Sequence, residues 1–213
     1  MSTSTLVHNE RKNLADLMLA AGPDAPTLCA GWTTRDLAAH LVIREARPDA
    51  AAGIIVPFLA NWTSKVQAEM AANPYEEVVA QFRLGAPRWS PLSIASVDAA
   101  ANIIEFVIHS EDVRRATPDW IARREDPELN EVLWSRLGRM SKLLLRSLPM
   151  GITVQRTDID AAPAAIKTGS PVLMLTGRPL DIMLLLHGRS VTDVRIDGDE
   201  SAVSAFKASM LHL

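Results

Sequence analysis

Residues Ala99 to Ile108 read AAANIIEFVI, an apolar run interrupted by a neutral amide at Asn102 and a single carboxylate at Glu105. A run of this composition is driven into the interior, where it must form a buried element. Burying a lone carboxylate costs several kcal/mol unless something compensates its charge, and a divalent cation is an effective compensator. His109 follows four residues later, one helical turn away, so both side chains project from the same face. The pair is half of a candidate metal site; an ordinary Glu–His surface pair is the competing reading of the same spacing. On the metal reading Glu105 is uncompensated when the ion is absent. Glu105→Gln should then weaken metal binding yet leave the metal-free chain at least as stable.

The remaining ligand must come from elsewhere. The chain has five histidines, His8, His40, His109, His187 and His212. His40 is the best candidate, because it sits in TTRDLAAHLVIREA with Leu37 and Leu41 at helical spacing, on the apolar stripe. Two histidines and a glutamate from two helices make a three-ligand site with a position open to water or substrate. A hydrogen-bonded core histidine is the alternative at His40.

At 213 residues, with 48% hydrophobic and 22% charged residues, the chain can build one large or two small globular domains. A net charge of -3 and a pI near 6.0 argue against a nucleic-acid surface. Arg114, Arg115, Arg123 and Arg124 are expected to complement a helix C-terminus and stay solvated. The single cysteine, Cys29, excludes an internal disulfide and suits a reducing cytoplasm. It reads as a small packed residue in a loop, since no base that would make it a catalytic thiol is evident. MSTSTLVHNERK lacks the pattern of a signal peptide, and the apolar run Ala50 to Ala60 contains Pro57 and is too short to span a bilayer. A cytoplasmic protein with no membrane or nucleic-acid partner is expected.

Helical spacing predicts helices over Ser4 to Ala21, from a Thr33–Asp36 capping box to about Arg47, over Asn61 to Ala72, and after Asn73-Pro74 through Phe82. A punctuated loop, Gly85 to Pro91, precedes a long helix from about Ser96 to Ala116 that carries Glu105 and His109. Asp126-Pro127 opens another helix, with Asp as N-cap and Pro at the first position, running to Pro149. From Gly151 the period shortens, and ITVQRTD, PVLMLTG and VTDVRIDG read as strands, with helices over Pro179 to His187 and Asp199 to Met210. The fold class is α+β: a helical bundle over 1–120, then a small α+β domain over 121–213.

In this order the pieces resemble the DinB/YfiT-like metalloprotein superfamily, in its actinobacterial, mycothiol-dependent maleylpyruvate isomerase-like branch. The matching segments are LCAGWTTRDLAAHL at Leu28 to Leu41 and NIIEFVIHSEDVRRA at Asn102 to Ala116, with LLLHGRSVTDVRIDGD at Leu184 to Asp199 resembling the small C-terminal domain. The resemblance implies a DinB-like four-helix bundle in which His40, Glu105 and His109 are the ligands of a divalent metal, zinc or a similar ion. It also implies that the thiol of mycothiol engages at that metal. The rest of the sequence is closer to a sister subgroup described only as metal-binding, so the isomerase substrate is not implied.

Asp112, three residues past His109, lies on its face and is a candidate to hold the other ring nitrogen; pairing with Arg115 is the alternative. Arg189, after Gly188, is the candidate to hold an anionic group in a cleft between the domains, with Arg178 a weaker one. His187 reads as structural, and the five tryptophans as core or groove-lining residues. Two functions stay open. One is a metal-dependent transferase or isomerase that uses a small-molecule thiol on a small electrophile; the other is a non-catalytic metal-binding or sensory protein.

Overall fold

Local chemistry marks the ends of the first two helices. In the computed structural model, which describes residues 2–51 and 60–210, α1 spans Thr3–Ala21 and is capped by the Ser2 hydroxyl, which accepts from the Thr5 amide. It stops at Gly22, whose φ of 83° lies in the left-handed region that favours glycine. The Thr33–Asp36 capping box opens α2, Thr34–Ala46. The alanines after Pro48 resume helix as a short α3, Pro48–Ala51. Most of the apolar run Ala50 to Ala60 falls at 52–59, outside the described residues. Then come α4, Ala60–Ala71, α5, Tyr75–Leu84, a 3-10 turn at Pro91–Ser93, and α6, Ala95–Arg114.

These elements form one compact unit, Met1–Ala122, in which α1 packs on α6 and α5, and α2 packs on α4 and α5. Its core is built from Leu14, Met18, Leu37, Leu41, Phe82, Ile103 and Phe106, all essentially inaccessible. Each contributes about 1.5–3 kcal/mol by leaving water. Phe82 and Phe106 meet edge to face, ring centres 5.3 Å apart. The Arg11 guanidinium lies against both rings and pairs with Glu45 through two bonds of 2.6 and 2.7 Å. That bidentate pairing is what makes two buried charges tolerable inside a bundle.

The second unit, Arg123–Leu213, begins with α7, Pro127–Leu144, capped by Asp126 as its sequence requires. Strands β1, Gly151–Arg156, β2, Ala164–Lys167, β3, Val172–Gly177, and β4, Arg195–Asp197, form one sheet in the order β2-β1-β3-β4. The central pair, β1 and β3, is parallel and both outer pairings are antiparallel. Helix α8, Pro179–Leu186, packs on α7 and β3, and α9, Glu200–Met210, closes the described chain. The chain is α+β, a helical bundle followed by a small mixed unit.

Four expectations need correction. Strand β2 is missing from the sequence reading, because its alanines carry no β signal and it forms only by pairing with β1. The strand expected over VTDVRIDG shrinks to Arg195–Asp197, since the Asp193 amide bonds the Asp181 carboxylate rather than a neighbouring strand. Of the tryptophans, expected as core or groove-lining residues, none is in the core: Trp62 and Trp89 are 43% and 62% exposed, and the other three are half-buried, which leaves them the groove-lining alternative. Arg115 is buried, not solvated. Its Nε bonds Glu111 at 2.6 Å and its guanidinium stacks on Trp120. No helix among the described residues is long and apolar enough to cross a membrane.

Candidate metal centre

His40 sits in the middle of α2, and the capping box fixes where that helix starts and hence which face the ring takes. Glu105 and His109 lie one turn apart near the middle of α6, where the surrounding residues are almost all buried. The two helices bring the three side chains to one point. His40 Nε2 and His109 Nε2 each stand 3.3 Å from the same oxygen, Glu105 Oε1, and the three candidate ligand atoms lie within 4.8 Å of one another. Ligands about 2.0–2.1 Å from a tetrahedral ion are separated from each other by roughly 3.3–3.4 Å. The donor set therefore fits a small divalent cation in both chemistry and spacing.

The histidines are held from behind. His109 Nδ1 donates to Asp112 Oδ2 at 2.9 Å, which leaves Nε2 for the Glu105 side. Asp112 is fully buried and also accepts from the Cys29 thiol at 3.2 Å, while its backbone carbonyl accepts from the Leu28 amide. Arg115 Nε bonds Glu111. The loop before α2 is thus tied to the last turns of α6, and it sets Trp32 against the His40 ring at 4.9 Å. A second group of potential ligands, Cys29, His109 and Asp112, shares the His109 ring. Its His109–Asp112 contact has hydrogen-bond length, so that group serves to orient the ring.

Two residues that the sequence reading does not connect with the ligands stand beside them. Arg44, one turn past His40, places Nε 3.3 Å from Glu105 Oε1; its Nη1 bonds Asn102, and its Nη2 bonds the Ala101 carbonyl at 3.2 Å. The i+4 spacing from His40 was the available signal. Cys29 is the other, and no spacing rule links it to residues some eighty positions away. The site is consequently less starved of positive charge than an isolated carboxylate implies.

The electrostatics follow. Burial opposes charge on Glu105, but hydrogen bonds from His109 and His40 and the charge of Arg44 hold its carboxyl well below the usual range. Burial also opposes charge on His109, yet bonding to Asp112, Cys29 and Glu105 raises it well above the ordinary histidine value. Burial lowers His40, with help from the charges of His109 and Arg44 and against its bond to Glu105. Without an ion, one proton on His109 and the Arg44 cation together neutralise the two carboxylates.

Arg189 and Arg178 lie in the second unit. Arg189 Nη1 bonds the His187 carbonyl at 2.7 Å. Arg178 pairs with Asp181 at 2.9 Å and Glu125 at 3.1 Å, a structural arrangement at the start of α8. His187 Nδ1 donates to the Met183 carbonyl, as a structural residue does.

The model of the mycothiol maleylpyruvate isomerase N-terminal domain matches residues 7–137, more than half the chain. The chain belongs to this family. The match takes in most of α1, all of α2 through α6 and most of α7, and so every residue of the His–Glu–His cluster. A solved structure, that of the mycothiol-dependent maleylpyruvate isomerase, is similar over 92% of this chain and 91% of that one, with a TM-score of 0.59 and 16% identity. That likeness establishes the shared α+β fold through both units. No curated protein matches the chain.

Proposed function

We propose that this member of the family binds a divalent metal, zinc by the chemistry of its donors, through His40, Glu105 and His109. We further propose that it acts with a small-molecule thiol, mycothiol, as a transferase or isomerase on a small electrophile. The observation that carries the metal reading is the approach of two imidazole Nε2 atoms to one carboxylate oxygen, each at 3.3 Å. The thiol reading rests on family membership and on the similarity to the mycothiol-dependent maleylpyruvate isomerase.

A divalent ion with an open position would lower the pKa of a thiol and polarise a carbonyl. The chain's own residues do the rest. Asp112 keeps the His109 ring in the ligand orientation, and Trp32 covers one side of His40. Arg189 is assigned, within this proposal, to hold an anionic group of the thiol or substrate. A half-buried thiol at Cys29, in a chain with no second cysteine to oxidise with, accords with a reducing, cytoplasmic setting.

Elemental analysis of protein purified without chelators should find close to one divalent ion per chain, lost in Glu105→Gln and His109→Ala. Absence of metal from protein offered zinc, cobalt or manganese would refute the metal reading. Mycothiol titrated into metal-loaded protein should give calorimetric binding that Arg189→Ala weakens, and turnover should then be sought with maleylpyruvate and thiol-reactive electrophiles. Metal binding without thiol binding would establish the non-catalytic alternative instead.

A further inference from the structure

The accessible edge of the cluster is formed by Glu105 and Arg44, not by the histidines. Their side chains are 25% and 21% exposed, against 10% for His40 and 9% for His109. The Arg44 guanidinium is thus a partly exposed cation in direct contact with the one candidate ligand that reaches solvent most. That group is rigidly held: Nε faces Glu105, Nη1 bonds Asn102, and Nη2 bonds the Ala101 carbonyl. Asn102 is fully buried and is held in turn, through its amide nitrogen, by Glu45 and Asp98. Glu45 itself is clamped by Arg11. A chain of bonds therefore anchors Arg44 to the core.

A guanidinium has five N–H donors, and the contacts described engage three of them, one on each nitrogen. Among the described residues no contact engages the other two, which makes them donors for an incoming acceptor. The charge count points the same way. A divalent ion set among Glu105, Asp112 and Arg44, with His109 neutral, leaves an excess of one positive charge at the cluster. A fixed cation beside a divalent ion is a poor aid to holding that ion, since like charges repel. It is a strong aid to holding an anion next to it.

We propose that Arg44 is a specificity-determining residue, which makes the open position of the centre select a small anion, such as a carboxylate or thiolate, over a neutral ligand. This inference rests on the metal reading above. It assigns the anion preference to α2, independently of Arg189 in the second unit.

The test uses full-length protein loaded with cobalt(II), whose visible spectrum reports changes in coordination. Azide serves as the anionic probe and imidazole as the neutral one, each titrated into wild type, Arg44→Met and Arg44→Lys. Arg44→Met should weaken azide by on the order of tenfold or more relative to imidazole, the scale of one nearby charge in a partly wet site. Arg44→Lys keeps the charge and should retain most of the preference. Arg44→Gln gives the same reading should the methionine variant fail to fold. Equal changes for the two probes, or none, would overturn the proposal. So would loss of cobalt from Arg44→Met, which would make Arg44 a support for Glu105 rather than a selector. Failure of wild type to bind cobalt at all would remove the metal reading itself, a different and visible result.

Discussion

Glu105 shows how far a residue's energetics depend on neighbours the chain order does not reveal. As an isolated carboxylate its removal would relieve the metal-free protein. In the folded bundle its Oε1 meets two imidazoles and Arg44, so the sign reverses. Glu105→Gln is expected to destabilise the metal-free protein by about 1–2 kcal/mol, read from urea unfolding in the presence of chelator, because it leaves a guanidinium and a protonated His109 short of a counter-charge. An unchanged or higher urea midpoint would mean that these contacts contribute nothing.

His109 gives a pH signature. Its folded-state pKa is raised well above 6.5, with burial opposed and overcome by bonding to Asp112, Cys29 and Glu105. Stability from this proton is therefore fully present below the unfolded value of about 6.5 and is lost as pH rises through the folded one. Metal binding must displace the same proton, so metal affinity should climb with pH across that window. Calorimetry in buffers of different ionisation heat should detect proton release on metal binding at neutral pH. Asp112→Asn should reduce it, as the main bond that raises His109 is removed.

At the scale of elements, α2 depends on its first turn. The Thr33 hydroxyl and the Asp36 carboxylate satisfy each other's backbone amides, and the Asp36 carboxylate also accepts from the Thr33 hydroxyl. Thr33→Ala should cost about 1 kcal/mol of stability, measurable in denaturant, and more than that would show that the cap also holds the preceding loop. In the sheet, Arg156 lowers Asp158 below its ordinary carboxyl value. Stability from that pair is present above the unfolded pKa of about 3.9 and disappears as pH falls through the folded one. Asp158→Asn should consequently flatten the acid side of a stability-against-pH profile while leaving the neutral-to-alkaline slope alone.

At the scale of the molecule, all candidate ligands belong to the first of two compact units. A ligand that binds only the folded state adds RT ln(1 + [L]/Kd), about 2.7 kcal/mol at a hundredfold excess over Kd. Hydrogen exchange should then show zinc slowing amides of α2 and α6, with those of β1 to β3 unchanged. Protection spread evenly over both units would mean that they unfold as one.

Much of this architecture is legible in the chain itself. The caps at Thr33 and Asp126, the breaks at Gly22 and Asn73-Pro74, and the shift from helical to strand period near Gly151 all act through neighbours in sequence, so local chemistry decides them. Glu105 and His109 share a face for the same reason, because one helical turn separates them. What lies beyond is non-local. Strand β2 exists only because β1 offers it an unpaired edge. Arg115 could be recognised as buried only once Glu111 and Trp120 enclosed it. The surroundings of the cluster are of the same kind. Cys29 behind Asp112, Trp32 on His40 and Arg44 on Glu105 arise from the packing of α2 and its loop against α6; helical spacing puts Arg44 on the His40 face, but nothing in either segment encodes the contacts themselves. The sequence by itself determined which residue types could bind an ion. Their charge, orientation and access to solvent were decided by the tertiary structure, since each depends on groups that only folding brings within hydrogen-bonding reach.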